Sequence, residues 1–167
     1  MAGLSASPPA PLDPPGAEVV ADNWFPAIRL DLVRKSVRLG DGSVSTERLI
    51  ASVESAMVTA FRQLADWRTA HVLAGAMDLE EITDRELNGQ NYAVKLWQRL
   101  ILSLTAADLF AGNRDISATD KGLDRAADKE DGADEYYRRA WAAVADLKSL
   151  TPDGIEVDVP RNRVELI

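Results

Sequence analysis

YAVKLWQRLILSLTAADLF, residues 92–110, is the longest strongly apolar stretch of this chain that contains neither glycine nor proline. On a helix of 3.6 residues per turn, Tyr92, Ala93, Leu96, Trp97, Leu100, Leu104 and Ala107 form a broad stripe, while Val94, Ile101, Leu102 and Leu109 add apolar surface on other faces. A helix apolar nearly all round has to be covered on nearly every side. It is therefore the centre of a compact bundle, or it is shared with a neighbouring subunit. Once flanking helices cover the main stripe, the row Val94, Ile101 and Leu109 remains, and this row is expected to meet a short preceding helix or an adjacent subunit.

The flanks supply the covering elements. Ser45 is a good N-cap and Glu47 sits in the first turn of a helix that runs to about residue 74, with Leu49, Val53, Ala56, Ala60, Leu64 and Trp67 on one face and Gly75 closing it. On the other side, Asp134 starts a helix in which Tyr136, Ala140, Val144 and Leu147 make one row and Pro152 ends it. Between these, residues 76–88 read as an acidic linker. Thr83 to Glu86 has the form of a capping box that would start the central helix near Asp84. Residues 111–132 carry both signs of charge together with Gly112, Gly122 and Gly132, and read as a long loop with at most one helical turn.

The ends differ from the middle. Residues 1–22 hold Pro8, Pro9, Pro11, Pro14 and Pro15, lack donors for a ladder and read as an extended arm outside the core. Trp24 and Phe25 follow, costly to leave in water, and dock either on this chain's own core or on another chain. Residues 28–39 form a basic amphipathic pattern of about three helical turns before Gly40-Asp41-Gly42. At the C-terminus, Ile155, Val157 and Val159 alternate with Glu156 and Asp158, and Val164, Leu166 and Ile167 resume beyond Pro160, a strand-like tail in need of a partner. The expected architecture is all-α: an arm (1–22), a small helical bundle around the central helix (23–154) and an extended tail (155–167).

Composition narrows function. A net charge of −8 argues against a protein built to grip phosphate backbones. With no cysteine there are no disulfides and no thiolate metal or nucleophile sites. No stretch of about 18 apolar residues is free of charge, because Lys95, Arg99 and Asp108 interrupt the best candidate, and the N-terminus has no signal-peptide pattern, so a soluble, non-secreted chain is expected. His71 is the only histidine and is placed at a helix end on the surface. The carboxylates Glu80, Glu81 and Asp84 support the alternative reading, a small helical magnesium-dependent nucleotide pyrophosphohydrolase, but lack a facing set of acids. No nucleotide-binding or hydrolase motif occurs, and no catalytic residue, cofactor or metal is assigned.

Order and texture over residues 24–167 resemble the head completion proteins of P2-like contractile-tailed phages, within the wider group of helical head-tail connector adaptors. The segments that carry the likeness are Trp24-Phe25-Pro26, Arg38-Leu39, Arg48-Leu49, Ala65-Asp66-Trp67-Arg68, Tyr92-Ala93-Val94, Arg114-Asp115-Ile116-Ser117-Ala118, Lys121-Gly122, the helix bearing Trp141 and the tail ending in Ile167. The resemblance implies a non-enzymatic virion protein of the phage neck, assembled in the host cytoplasm. It implies a ring of adaptor subunits, typically dodecameric, under the portal protein, receiving the stopper and tail completion proteins. Packaged double-stranded DNA would pass its acidic wall without specific binding, and no membrane is involved. Trp24, Phe25, Val157, Val159, Val164, Leu166 and Ile167 are the expected contacts with portal or neighbour, and Val94, Ile101 and Leu109 the expected packing row between helices or subunits.

Overall fold

The computed structural model describes residues 13–37, 44–112, 120–155 and 157–160, with the backbone alone considered over 120–131. In chain order the elements are β1 (Glu18–Val19), β2 (Ile28–Arg29), α1 (Leu30–Ser36), α2 (Thr46–Leu73), a 3-10 turn (Glu80–Ile82), β3 (Glu86–Leu87), β4 (Gln90–Asn91), α3 (Tyr92–Gly112) and α4 (Asp120–Lys148). Three long helices form an up-down-up bundle. Ser52 on α2 meets Asp108 on α3 at 2.7 Å and Phe61 stacks near Trp97, so α2 and α3 are antiparallel. Phe110 packs on Tyr136 and Arg99 reaches Asp146, so α4 runs antiparallel to α3 on its other side.

The core follows the helical period. Leu49, Val53, Ala60 and Leu64 of α2, Leu96, Trp97, Leu100, Ile101 and Leu109 of α3, and Ala140, Ala143, Val144 and Leu147 of α4 are buried together. The alanines of α4 let its backbone approach the bulky α3, which spends its volume on leucines and Trp97. The expected helix from Ser45 is present: the Ser45 hydroxyl accepts from the Arg48 N–H at 3.2 Å. Gly75 closes it at φ 107°, with its N–H on the Val72 carbonyl and the Ala76 N–H on the His71 carbonyl, a Schellman motif.

Four expectations are corrected. The helical description is incomplete, because two small antiparallel ladders exist, β1 with β2 and β3 with β4. Ile28 and Arg29 are strand and not helix: β1 lies beside them, and α1 begins only at Leu30. The central helix does not start from a capping box at Thr83. Residues 84–91 turn through Asn88 and Gly89, both at positive φ (55° and 69°), into a tight hairpin, and the Asn91 side chain caps α3 by accepting from the Ala93 and Val94 N–H groups at 2.9 and 3.3 Å. The last helix begins at Asp120, well before Asp134. Glycine costs about 1 kcal/mol in a helix interior, and at Gly132 the packing of α4 against Phe110 at the end of α3 offsets it. A Cβ at Gly132 would stand 3.5 Å from the Phe110 ring, an ordinary contact distance, so the Phe110 packing does not itself require glycine there. The Gly40-Asp41-Gly42 turn, the first twelve residues and the 113–119 connection lie outside the described residues.

Candidate interaction surfaces

The aromatic pair expected to reach a partner is instead part of the core. Trp24 and Phe25 are 5% and 2% exposed. Phe25 stacks on Trp97 with ring centroids 4.3 Å apart and lies 5.4 Å from Phe61, while Trp24 meets Trp67 edge-on at 5.8 Å. Residues 13–29 form a strap that is stitched down along its length. Asp22 accepts from the Trp24 and Phe25 N–H groups and pairs with Arg68 of α2, whose guanidinium lies over both rings. The Trp97 indole donates to the Pro26 carbonyl at 3.0 Å, and the Leu79 N–H donates to the Trp24 carbonyl at 3.0 Å. Further back, Asp13 is held by Arg34 of α1 and by the Thr46 hydroxyl at 2.7 Å. Residues 13–22, expected in an arm outside the core, therefore belong to the packed body, because a polar clamp sits at each end of them.

Those clamps set the charge state of their acids. The Arg34 guanidinium, aided by Thr46, holds the Asp13 carboxyl below the usual carboxylate range against the opposing effect of burial. At Asp22 burial pushes the carboxyl up, but the two backbone N–H groups and Arg68 outweigh it and the net direction is down.

The row Val94, Ile101 and Leu109 also finds its place inside the chain. Ile101 and Leu109 are fully buried in the shared core, and Val94 is half-buried at its edge, so none of the row calls for an adjacent subunit. His71, expected at the surface, is in the last turn of α2 but buried. Its Nε2 donates to the Leu150 carbonyl at 2.9 Å beside the Trp67 indole, which donates to the same oxygen at 2.8 Å. Two side chains of α2 thus satisfy a carbonyl just past the end of α4 and fix where the tail departs. After a turn at Gly154, φ 74°, the Val157 N–H returns to the Ser149 carbonyl at 3.1 Å. No strand forms here among the described residues. Ile155 is 64% exposed, Val157 47%, and Val159 is half-buried. Val164, Leu166 and Ile167 lie outside the described residues.

Surface hollows also stand out among the described residues. An apolar hollow of about 410 Å³ on the outer side of α2 is lined by Phe61, Ala65, Val72 and Leu73. A groove of about 690 Å³ beside the β3–β4 hairpin is lined by Glu80, Asp84, Glu86, Val94 and Gln98. Across the α3 ridge, a third groove of about 340 Å³ runs between the end of α1, α3 and α4, with Lys95, Arg99 and Arg139 around Val37, Leu102 and Tyr136. Glu80, Glu81 and Asp84 are not gathered for an ion: Glu81 accepts from the Met77 N–H at 2.7 Å, and no group of three or more His, Asp or Glu among the described residues could hold a metal. Among those residues no helix is long and apolar enough to cross a membrane. Sequence reasoning missed the Asp13 and Asp22 clamps and the basic groove, all of which join residues far apart in the chain. It also missed Asn91, for which Asn88-Gly89 was an available hairpin signal.

Comparison with known proteins bears on what such a body does. The family model described as phage head completion protein (GPL) matches residues 19–157. A head completion/stabilization protein of Escherichia phage P2 is 30% identical over 138 residues, covering 81% of this chain and 80% of that relative. No solved structure matches the chain. The family match begins within the strap, at β1, and ends at Val157, where the tail folds back on Ser149, so it takes in the whole bundle described above. The chain belongs to the phage head completion protein family, structural components of the virion.

Proposed function

We propose that this protein assembles as a ring, typically dodecameric, beneath the portal vertex, where it completes the DNA-filled head, helps retain the packaged DNA and offers the surface that receives stopper and tail. It acts by packing and not by catalysis. The observation that carries this reading is the family membership across the whole bundle, together with a tail that leaves a clamped helix end with Ile155 and Val157 in solvent. An exposed apolar segment fixed at its root is suited to seat on another protein without reorganising the bundle. Val157, Val159, Val164, Leu166 and Ile167 then engage the portal or a neighbouring adaptor, and the net charge of −8 lets DNA pass without adhering.

Deletion of residues 158–167 tests the tail. The truncated chain keeps the Val157 to Ser149 bond and is expected to stay folded and helical by circular dichroism, yet to be lost from portal rings in a pull-down. Undiminished attachment would refute the role of the tail. Sedimentation of the free chain should give a monomer that forms rings only on its portal template; a stable dodecamer without portal would contradict templated assembly.

A further inference from the structure

The β3–β4 hairpin has an unpaired edge. Its register, Glu86 against Asn91 and Leu87 against Gln90, is carried one step further by the Tyr92 N–H, which donates to the Arg85 carbonyl at 2.8 Å. Arg85 and Leu87 therefore turn their backbone groups towards β4. Glu86 between them turns its N–H and carbonyl outward, where neither has a partner among the described residues. Both residues of β3 are exposed, so this edge is open to another strand. The same alternation divides the side chains. Glu86 and Asp84 lie on the face that lines a groove with Glu80, Val94 and Gln98, and none of these three carboxylates has an ion pair among the described residues. Leu87, 56% exposed, lies on the opposite face with Arg85, whose guanidinium sits over the Tyr92 ring at 5.6 Å. The base of the hairpin is tied down by Asn91, which donates to the Glu80 and Thr83 carbonyls at 2.9 and 2.8 Å, so the edge is presented in one place.

The chain carries a segment of the complementary pattern. Past the exposed Pro160 it continues as Arg161-Asn162-Arg163-Val164, outside the described residues. Laid parallel to β3 with Arg163 opposite Glu86, this segment sets Arg161 opposite Asp84 and Val164 opposite Leu87. Two pairs of opposite charge then meet on the groove face and an apolar pair on the other. A slip of one residue either way puts an arginine opposite Arg85 and leaves the carboxylates without a cation. The antiparallel arrangement that keeps both charge pairs sets Pro160 against Leu87 instead of Val164.

We propose that residues 161–164 of one copy of this chain add to the β3 edge of the next as a third, parallel strand, with Arg161 and Arg163 against Asp84 and Glu86 and Val164 against Leu87. The inference rests on the reading that the tail engages a neighbouring copy, and it names the edge that receives it. Main-chain bonds to the Glu86 N–H and carbonyl hold the strand, and the alternating side chains set its register. Tail and hairpin are different patches, so the contact is heterologous, the kind that closes into a ring under rotation.

The chain has no cysteine, so disulfide trapping is clean. Full-length Leu87→Cys and Val164→Cys chains are mixed over portal rings, oxidised gently and the cross-linked dimer measured. The yield should exceed that of Val58→Cys with Val164→Cys, a control on the exposed side of α2, by about fivefold, the ratio that roughly 1 kcal/mol of docking gives. Glu86→Arg in the hairpin chain should lower the yield about fivefold, and Arg163→Glu in the tail chain should restore it, which a merely unfolded variant would not allow. In the trapped dimer the Glu86 amide should exchange its hydrogen about tenfold more slowly than in the free chain, because it becomes a ladder donor; unchanged exchange overturns the strand. Yields equal to the control overturn the proposal, and leave the ring standing where sedimentation still shows rings on the portal. A chain carrying both cysteines gives a ladder of products if each tail passes to the next copy. A cross-linked monomer means that the tail closes on its own hairpin, which overturns the proposal. A product that stops at the dimer supports the tail on the hairpin of another copy but rejects the ring, so the two readings fail separately.

Discussion

Phe25→Ala separates a partner-facing anchor from a core residue. The ring is 2% exposed, stacks on Trp97 at 4.3 Å and lies near Phe61 at 5.4 Å, and its removal leaves a hole against two residues of different helices. Truncating a buried Phe costs about 3–5 kcal/mol, made up of lost transfer energy and an unfilled cavity. Against a whole-domain stability on the order of 5–15 kcal/mol, that is a large fraction. For a chain of this size each kcal/mol lowers the melting temperature by about 2–4 °C, so a fall of about 6–20 °C is expected. Urea unfolding followed by tryptophan fluorescence measures it, since Trp24, Trp67 and Trp97 all report on the strap's seat. A double-mutant cycle with Phe61→Leu should return a coupling of about 0.5–1.5 kcal/mol, the value for an aromatic pair beyond its area. If Phe25→Ala shifts the midpoint by less than about 0.5 kcal/mol, the range of an ordinary surface substitution, the strap is not part of the core and the reasoning fails.

Other outcomes follow from single features. Asn91→Ala removes the α3 cap and the two bonds to the Glu80 and Thr83 carbonyls, and should cost about 1–3 kcal/mol in thermal or urea unfolding, while Asn91→Asp, which keeps the cap oxygen, recovers part of it. Gly132→Ala should stabilise by up to about 1 kcal/mol, since a Cβ there meets Phe110 at ordinary contact distance, whereas Gly75→Ala should destabilise by about 1 kcal/mol because φ is 107°. The carboxyls of Asp13 and Asp22 are held down in the folded state, so the unfolded chain binds more protons as the solution is acidified. Their contribution is full at neutral pH and is lost as pH falls below about 4. Unfolding midpoints between pH 7 and pH 3 should therefore fall less steeply in Asp13→Asn than in the wild type, and an unchanged slope would remove Arg34 as the cause.

Much of this architecture is written locally. The period of residues 49–67 and 96–109 makes amphipathic helices wherever the chain is placed, and Ser45 and Gly75 mark the ends of α2 through bonds that span only a few residues. Charge and composition restrict the function class, and the order of segments from Trp24 to Ile167 already carries the family likeness. The pairings across the chain are not legible in that way. The sequence cannot tell whether an exposed-looking Trp24-Phe25 turns inward, because that depends on Asp22 meeting Arg68 and Trp97 meeting Pro26, partners separated by 46 and 71 residues. Nor does local propensity carry α4 back from Asp134 through Gly132 and Gly122 to Asp120, since glycine disfavours a helix interior and both residues read as breaks. The helices are local facts. Their coverage, the strap and the clamp on Leu150 exist only once distant residues share a surface, because burial and ion pairing are properties of neighbours in space.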